Sequence, residues 1–300
     1  MATSYCRMLP RDRLLFVGLA GTAFLAAFFF MVLRREDATL GTPVVDMGIL
    51  PAARWSDVRY TRGTLLQGNL GSQTLRPAQS PYLLQGSVRV PAGARLWVEP
   101  DTLVAASEGA RIVVEGTLEV HRAAFVSNQL HLDRRLWHGL TVQRGGKIVL
   151  RESTISNASA GLTCAEGGTV SVSGGGVIDT AAGFVTLQGC ATAQIDRVQI
   201  TQSRVGFYLL GGSPVVTNAI LTRVFDGFRV FHEARPTIVG LTVRTPRHAV
   251  VMHAASTDLP IRGLVLPRGA DRAALIIDGT DAPTHRWRDR EYPTGRVIVQ

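Results

Sequence analysis

The chain has 300 residues, 46% of them hydrophobic and 18% charged, with 31 Gly and 14 Pro. This balance excludes a disordered tail or a collagen-like fibre and suits one or two domains with a real core. Three cysteines, Cys6, Cys164 and Cys190, are too few and too scattered for a disulfide scaffold or a zinc site. Of the formal net charge of +9, residues 1–35 hold +4 (five Arg, one Asp), and the +5 left for the other 265 residues is too thin a spread for a nucleic-acid-binding face.

Residues 1–13 form a short tail. Leu14 to Leu33 is a run of twenty residues without a charge, long enough at about 1.5 Å per residue to cross a bilayer core of roughly 30 Å. It exceeds the apolar region of a signal peptide, and the exit Met31-Val32-Leu33-Arg34-Arg35 offers no small-x-small cleavage site, so it reads as an uncleaved single-pass anchor. Arg7, Arg11 and Arg13 precede the span and only Arg34 and Arg35 come after it, which places the N-terminus in the cytoplasm and residues 36–300 outside it, in a periplasmic, extracellular or luminal space. Gly18, Thr22 and Ala26 form a small-residue line through which two spans could pack into an oligomer. Residues 34–79 are polar, hold Gly, Pro and Arg, and show no sustained period. They read as a linker that partly folds against the domain C-terminal to it.

From about residue 80 the chain repeats. Gly139, Gly161, Gly183, Gly206, Gly227 and then Ala249 are separated by 22, 22, 23, 21 and 22 residues. Each is followed by an apolar residue: Leu140, Leu162, Phe184, Phe207, Phe228, Val250. Two further columns keep the same beat: Leu150, Val172, Ile195, Val216, Ile238, Ile261, and, five residues later each time, Ile155, Val177, Ile200, Leu221, Val243, Leu266. Self-similarity at a fixed period signals a solenoid. Short alternating β-branched segments such as Thr169-Val170-Ser171-Val172 argue for strands, and the leucine-rich-repeat consensus is absent. Three short strands per turn of about 22 residues describe a parallel β-helix, right-handed because parallel crossovers almost always are. The domain spans 80–280, with 281–300 as a C-terminal cap or tail. The columns predict a ladder of Phe184, Phe207 and Phe228 in the core. Cys164 falls in the inward column of Val142, Leu209, Val230 and Met252 as a buried thiol, and Cys190 falls in a different column, which argues against a bond between them.

The alternating stretch Pro81 to Pro100, the segment Val114-Glu115-Gly116-Thr117-Leu118-Glu119-Val120, and Trp137-His138-Gly139-Leu140 resemble the entry region of right-handed β-helix repeat proteins of the pectate-lyase-like superfold. The resemblance covers about residues 80–270. It implies a fold and not an activity, because that superfold hosts lyases, hydrolases, epimerases, adhesins and scaffolds.

No column of carboxylates for calcium or for paired acid–base work emerges. Asp179, Asp196, Asp226, Glu233 and Asp258 occupy different repeat positions. No cofactor, metal or phosphate-cradling loop is implied: Gly174-Gly175-Gly176 has no Lys-Ser/Thr after it and falls at a coil turn. Asn157-Ala158-Ser159 is a glycosylation sequon. The best constellation lies on the outer face of the glycine-bearing strands. Asp226 and His248, 22 residues apart, should neighbour each other across two coils. Tyr208 and Arg229 share one outward position; Leu210, Phe231 and His253 share the next. Two functions suit this face. One is a non-enzymatic binding or scaffold module that takes a glycan or protein partner on an apolar strip of Tyr208, Leu210, Phe231 and Val251, rimmed by Arg204, Arg229 and Arg247, with His253 a further binding candidate. The other is an anchored carbohydrate-active enzyme, a polysaccharide lyase or epimerase, using Asp226, His248, Tyr208 and Arg229. The C-terminal segment, with Trp287, Tyr292, Val297 and Ile298, could equally cover that strip.

Overall fold

The computed structural model of the chain describes residues 59–128, 136–244, 248–253, 261–262, 275–278, 284–287, 290–293 and 295–297. The predicted span Leu14 to Leu33, its line of Gly18, Thr22 and Ala26, the tail 1–13, and Cys6 and Leu266 lie outside the described residues. Among the described residues there is no α-helix, and so none that is long and apolar enough to cross a membrane.

The repeat winds into a parallel solenoid of about eight coils. Each coil contributes a first-face strand that begins near the periodic glycine, a second-face strand, and a short third-face strand. Each pairs with its counterpart one coil away. Gly139–Val142, Ala160–Cys164, Ala182–Thr186, Val205–Gly212, Asp226–Ala234 and His248–His253 stack on the first face. On the second face nine strands stack from Gln73–Leu75 to Ile261–Arg262. Its register aligns Leu150, Val172, Ile195, Val216, Ile238 and Ile261. On the third face Ile155, Val177, Ile200, Leu221 and Val243 align in the same way. Because Tyr82–Val90 runs through both the first and third faces, these join into one 18-stranded sheet.

Alternation along each strand puts one set of side chains inside, and a coil cannot bury that set alone; stacking removes it from water. Phe184, Phe207 and Phe228 form the predicted ladder, with ring centroids 5.4 and 4.4 Å apart and nearly parallel planes. The periodic glycines owe their places to crowding between coils. A Cβ on Gly183 would lie 2.6 Å from the Gly206 carbonyl oxygen, and one on Gly206 would lie 2.6 Å from that of Gly227.

Two rows of corners turn the chain between faces through the left-handed region, and the residues there are mostly not glycine. Arg122, Glu152, Arg197 and Asn218 turn the second face into the third, and Asn157, Asp179, Gln202 and Arg223 turn the third into the first, all with φ between 47° and 57°. Each corner N–H keeps the ladder going, as in Glu152 to Ser173 O at 2.9 Å and Asp179 to Thr201 O at 3.0 Å. Asn157, the acceptor of the sequon, sits buried at such a corner.

The solenoid starts earlier than the repeat does. Residues read as linker supply its opening strands: Thr64–Asn69 pairs with Tyr82–Val90, and Gln73–Leu75 with Arg95–Val98. A second apolar cluster lies outside the third face, where Leu103, Ala105, Ala124 and Val126 are covered by Tyr60 and Leu83. Asn128 clasps the Tyr60 backbone there, its Oδ1 accepting from the Tyr60 N–H at 2.6 Å and its Nδ2 donating to the Tyr60 carbonyl at 2.9 Å. Burial raises the Tyr60 phenol above its ordinary pKa. At the far end, Leu275–Asp278 extends the first face in parallel, and Gly295–Val297 pairs with it antiparallel.

One expectation is overturned. Cys164 is not a free thiol but is bonded to Cys190, 26 residues away, with Cα atoms 5.6 Å apart. The two do sit in different columns. After Ala182–Thr186, however, the chain reverses in a turn closed by the Cys190 N–H on the Leu187 carbonyl at 3.2 Å, with Gly189 at φ 76°. That turn tucks Cys190 inward above Cys164, whose register partner is Thr186. Counting columns treats corners as open, and this one folds in.

Candidate functional site

The outer side of the first face is built by the same alternation that builds the core. In Val205–Gly212 the side chains of Phe207 and Leu209 point in and are fully buried, so Tyr208 and Leu210 point out and are half-buried. One coil on, Phe228 and Val230 point in, and Arg229 and Phe231 point out. Register places Tyr208 against Arg229, with Val185 beside Tyr208 on the preceding coil and Val251 beside Arg229 on the next one. The Tyr208 and Phe231 rings meet at 5.1 Å between centroids with a 55° tilt, within the centroid range of interacting aromatic pairs.

Leu210 departs from the expected column. The pairing slips between Leu209–Val230 and Gly211–Glu233, so Leu210 faces a bulge of two residues, Phe231 and His232. Phe231 and His253 are in register.

Asp226 and His248 are register partners, as their spacing predicts. The environment of Asp226 is not that of a surface ion pair, however. Its side chain has no exposure, and its Oδ2 accepts from the Arg229 Nε at 2.6 Å. Its own N–H donates to the Arg204 carbonyl at 2.9 Å. A buried carboxylate thus fixes one side of a guanidinium that is itself 29% exposed and that stands in register beside Tyr208.

The second face holds two arrangements that spacing did not suggest. At its corner, Asp196 Oδ1 accepts from Thr217 Oγ1 at 2.6 Å and from Asn218 Nδ2 at 3.1 Å. Its Oδ2 accepts from Arg197 Nε at 2.8 Å. Burial acts to raise the Asp196 pKa, but the hydrogen bonds from Thr217, Asn218 and Arg197 outweigh it and hold the group below the ordinary carboxylate range. Near the start of the solenoid, Ser72, Gln73, Thr74, Arg95 and Trp97 line a cleft of about 540 Å³. The alternation Arg95-Leu96-Trp97-Val98 already put Trp97 outside, and an outward Trp was the signal available for it. Among the described residues no three metal-ligating side chains come together.

No family model, no curated protein and no solved structure matches the chain.

Proposed function

We propose that the chain is a single-pass membrane protein, anchored by Leu14 to Leu33, whose outer part is a right-handed β-helix of the pectate-lyase-like kind and serves as a non-enzymatic binding or scaffold module for a glycan or protein partner. One observation carries the binding role: on the outer first face a tilted Tyr208–Phe231 pair stands beside a guanidinium that a wholly buried Asp226 holds in one orientation. Apolar rings with a pre-oriented charged donor form a recognition surface, because little side-chain freedom is left to lose on binding. The Cys164–Cys190 bond supports an extracytoplasmic site, since such bonds persist in oxidising compartments.

A second reading, an anchored polysaccharide lyase or epimerase, draws support from the backbone register of Asp226 with His248. A general base must reach the proton it removes, and the zero exposure of Asp226 favours binding over that chemistry. The experiment is a glycan-array and pull-down comparison of the full chain with a Tyr208→Ser, Phe231→Ser double variant. The binding role predicts loss of capture in the variant, and unchanged capture rejects this surface. Turnover of a uronic-acid polymer that His248→Ala abolishes would establish the enzyme instead.

A further inference from the structure

The cleft near the start of the second face is separate from the first-face surface, and its chemistry is different. Trp97 points outward from Arg95–Val98, in register with Thr74 on the edge strand Gln73–Leu75 and with Glu119 on the next coil. Arg95 lies across it. Its Nη2 donates to Glu119 Oε2 at 2.9 Å, its guanidinium carbon sits 5.5 Å from the centre of the indole ring, and its backbone N–H donates to Ser72 Oγ at 3.0 Å. These contacts fix an arginine that is otherwise on the surface, and Glu119 cancels its charge.

The result is an electrically neutral recess with an aromatic wall and closely spaced donors and acceptors: the Ser72 and Thr74 hydroxyls, the Gln73 carboxamide, and the Arg95–Glu119 pair. An anion would gain little from a guanidinium already paired with a carboxylate. A purely apolar ligand would cover the polar groups of the exposed residues Ser72, Gln73 and Thr74 without pairing them. A neutral sugar answers both demands. Its C–H faces suit the part of the indole that Arg95 does not cover, and its vicinal hydroxyls each donate and accept. The cleft is open to solvent, with a volume of about 540 Å³, room for a sugar unit that stays part of a longer chain. We propose that the cleft of Ser72, Gln73, Thr74, Arg95 and Trp97 binds an uncharged mono- or disaccharide unit of a glycan. It does so independently of the first face, among the opening strands of the solenoid.

The test is saturation-transfer NMR on the full-length chain in phosphatidylcholine nanodiscs, with cellobiose, maltose, lactose and chitobiose as neutral probes and digalacturonate as the charged one. At least one neutral probe should give a saturable signal. That signal should weaken tenfold or more in Trp97→Ala and several-fold in Gln73→Ala and Thr74→Ala. Gln73 and Thr74 are exposed on an edge strand, so their variants remain informative if Trp97→Ala does not fold. Val215→Ser, exposed on the same face several coils away, should leave the signal as it was. Absence of a saturable signal from every neutral probe overturns the proposal, as does saturation by digalacturonate alone or a neutral-sugar signal that survives the Gln73 and Thr74 changes.

Discussion

Single positions in this fold are constrained by what the adjacent coil puts against them. Gly206 is an example: its φ is ordinary, yet an added methyl would press on the Gly227 carbonyl oxygen, which belongs to rigid backbone. Gly206→Ala should therefore destabilise the solenoid by about 1–3 kcal/mol, read as a lower midpoint in chemical denaturation, and an unchanged midpoint would show that the coils are farther apart. Asp196 is constrained by charge. Its folded-state pKa lies below the unfolded value, so its contribution to stability is present above the unfolded carboxylate pKa of about 4 and is lost as pH falls through the folded one. Asp196→Asn should lower the melting temperature at pH 7, and the gap to the parent chain should close on acidification toward pH 3. A gap that stays constant with pH would mean that ionisation of Asp196 plays no part.

Strands and corners differ in how openly the sequence announces them. The three inward columns are legible because each needs only one chemical class, large and apolar, once per coil, and any aliphatic or phenyl group will serve. Corners are less legible. Arg122, Glu152 and Arg197 hold left-handed backbone where a reader looks for glycine, because the N–H bond each makes to the next coil is a backbone property and leaves the side chain unspecified. The bulge opposite Leu210 and the inward tuck of Cys190 are likewise backbone events with no residue signature. So the register of Tyr208 with Arg229 and of Asp226 with His248 could be read in advance, whereas the burial of Asp226, the Tyr208–Phe231 contact and the second-face cleft could not. The covalent link between a strand and a corner also has a measurable consequence. Closing a loop of 26 residues restricts the unfolded chain by about 3.5 kcal/mol. A Cys164→Ser, Cys190→Ser double variant should lose roughly that much stability while keeping its β-rich circular dichroism, and full stability in the variant would place the two sulfurs apart.

Across the whole molecule, the solenoid is a scaffold whose surfaces are set by stacking. The nine-stranded second face and the first face present separate outward columns along one axis, so a residue's neighbours are fixed by the coil period and by sequence distance together. Both proposed binding surfaces depend on that arithmetic. The most direct measurement of it is oxidative cross-linking of paired cysteines on the exposed second face. Gln194 and Val215 are register partners on adjacent coils, and Thr237 pairs with Val215 one coil farther on. Adjacent parallel strands lie about 4.8 Å apart, within reach of a disulfide, and strands two coils apart are beyond it. The stacked coil predicts rapid, near-complete bonding in Gln194→Cys, Val215→Cys and none in Gln194→Cys, Thr237→Cys. Equal bonding in the two pairs, or bonding only in the second, would contradict it.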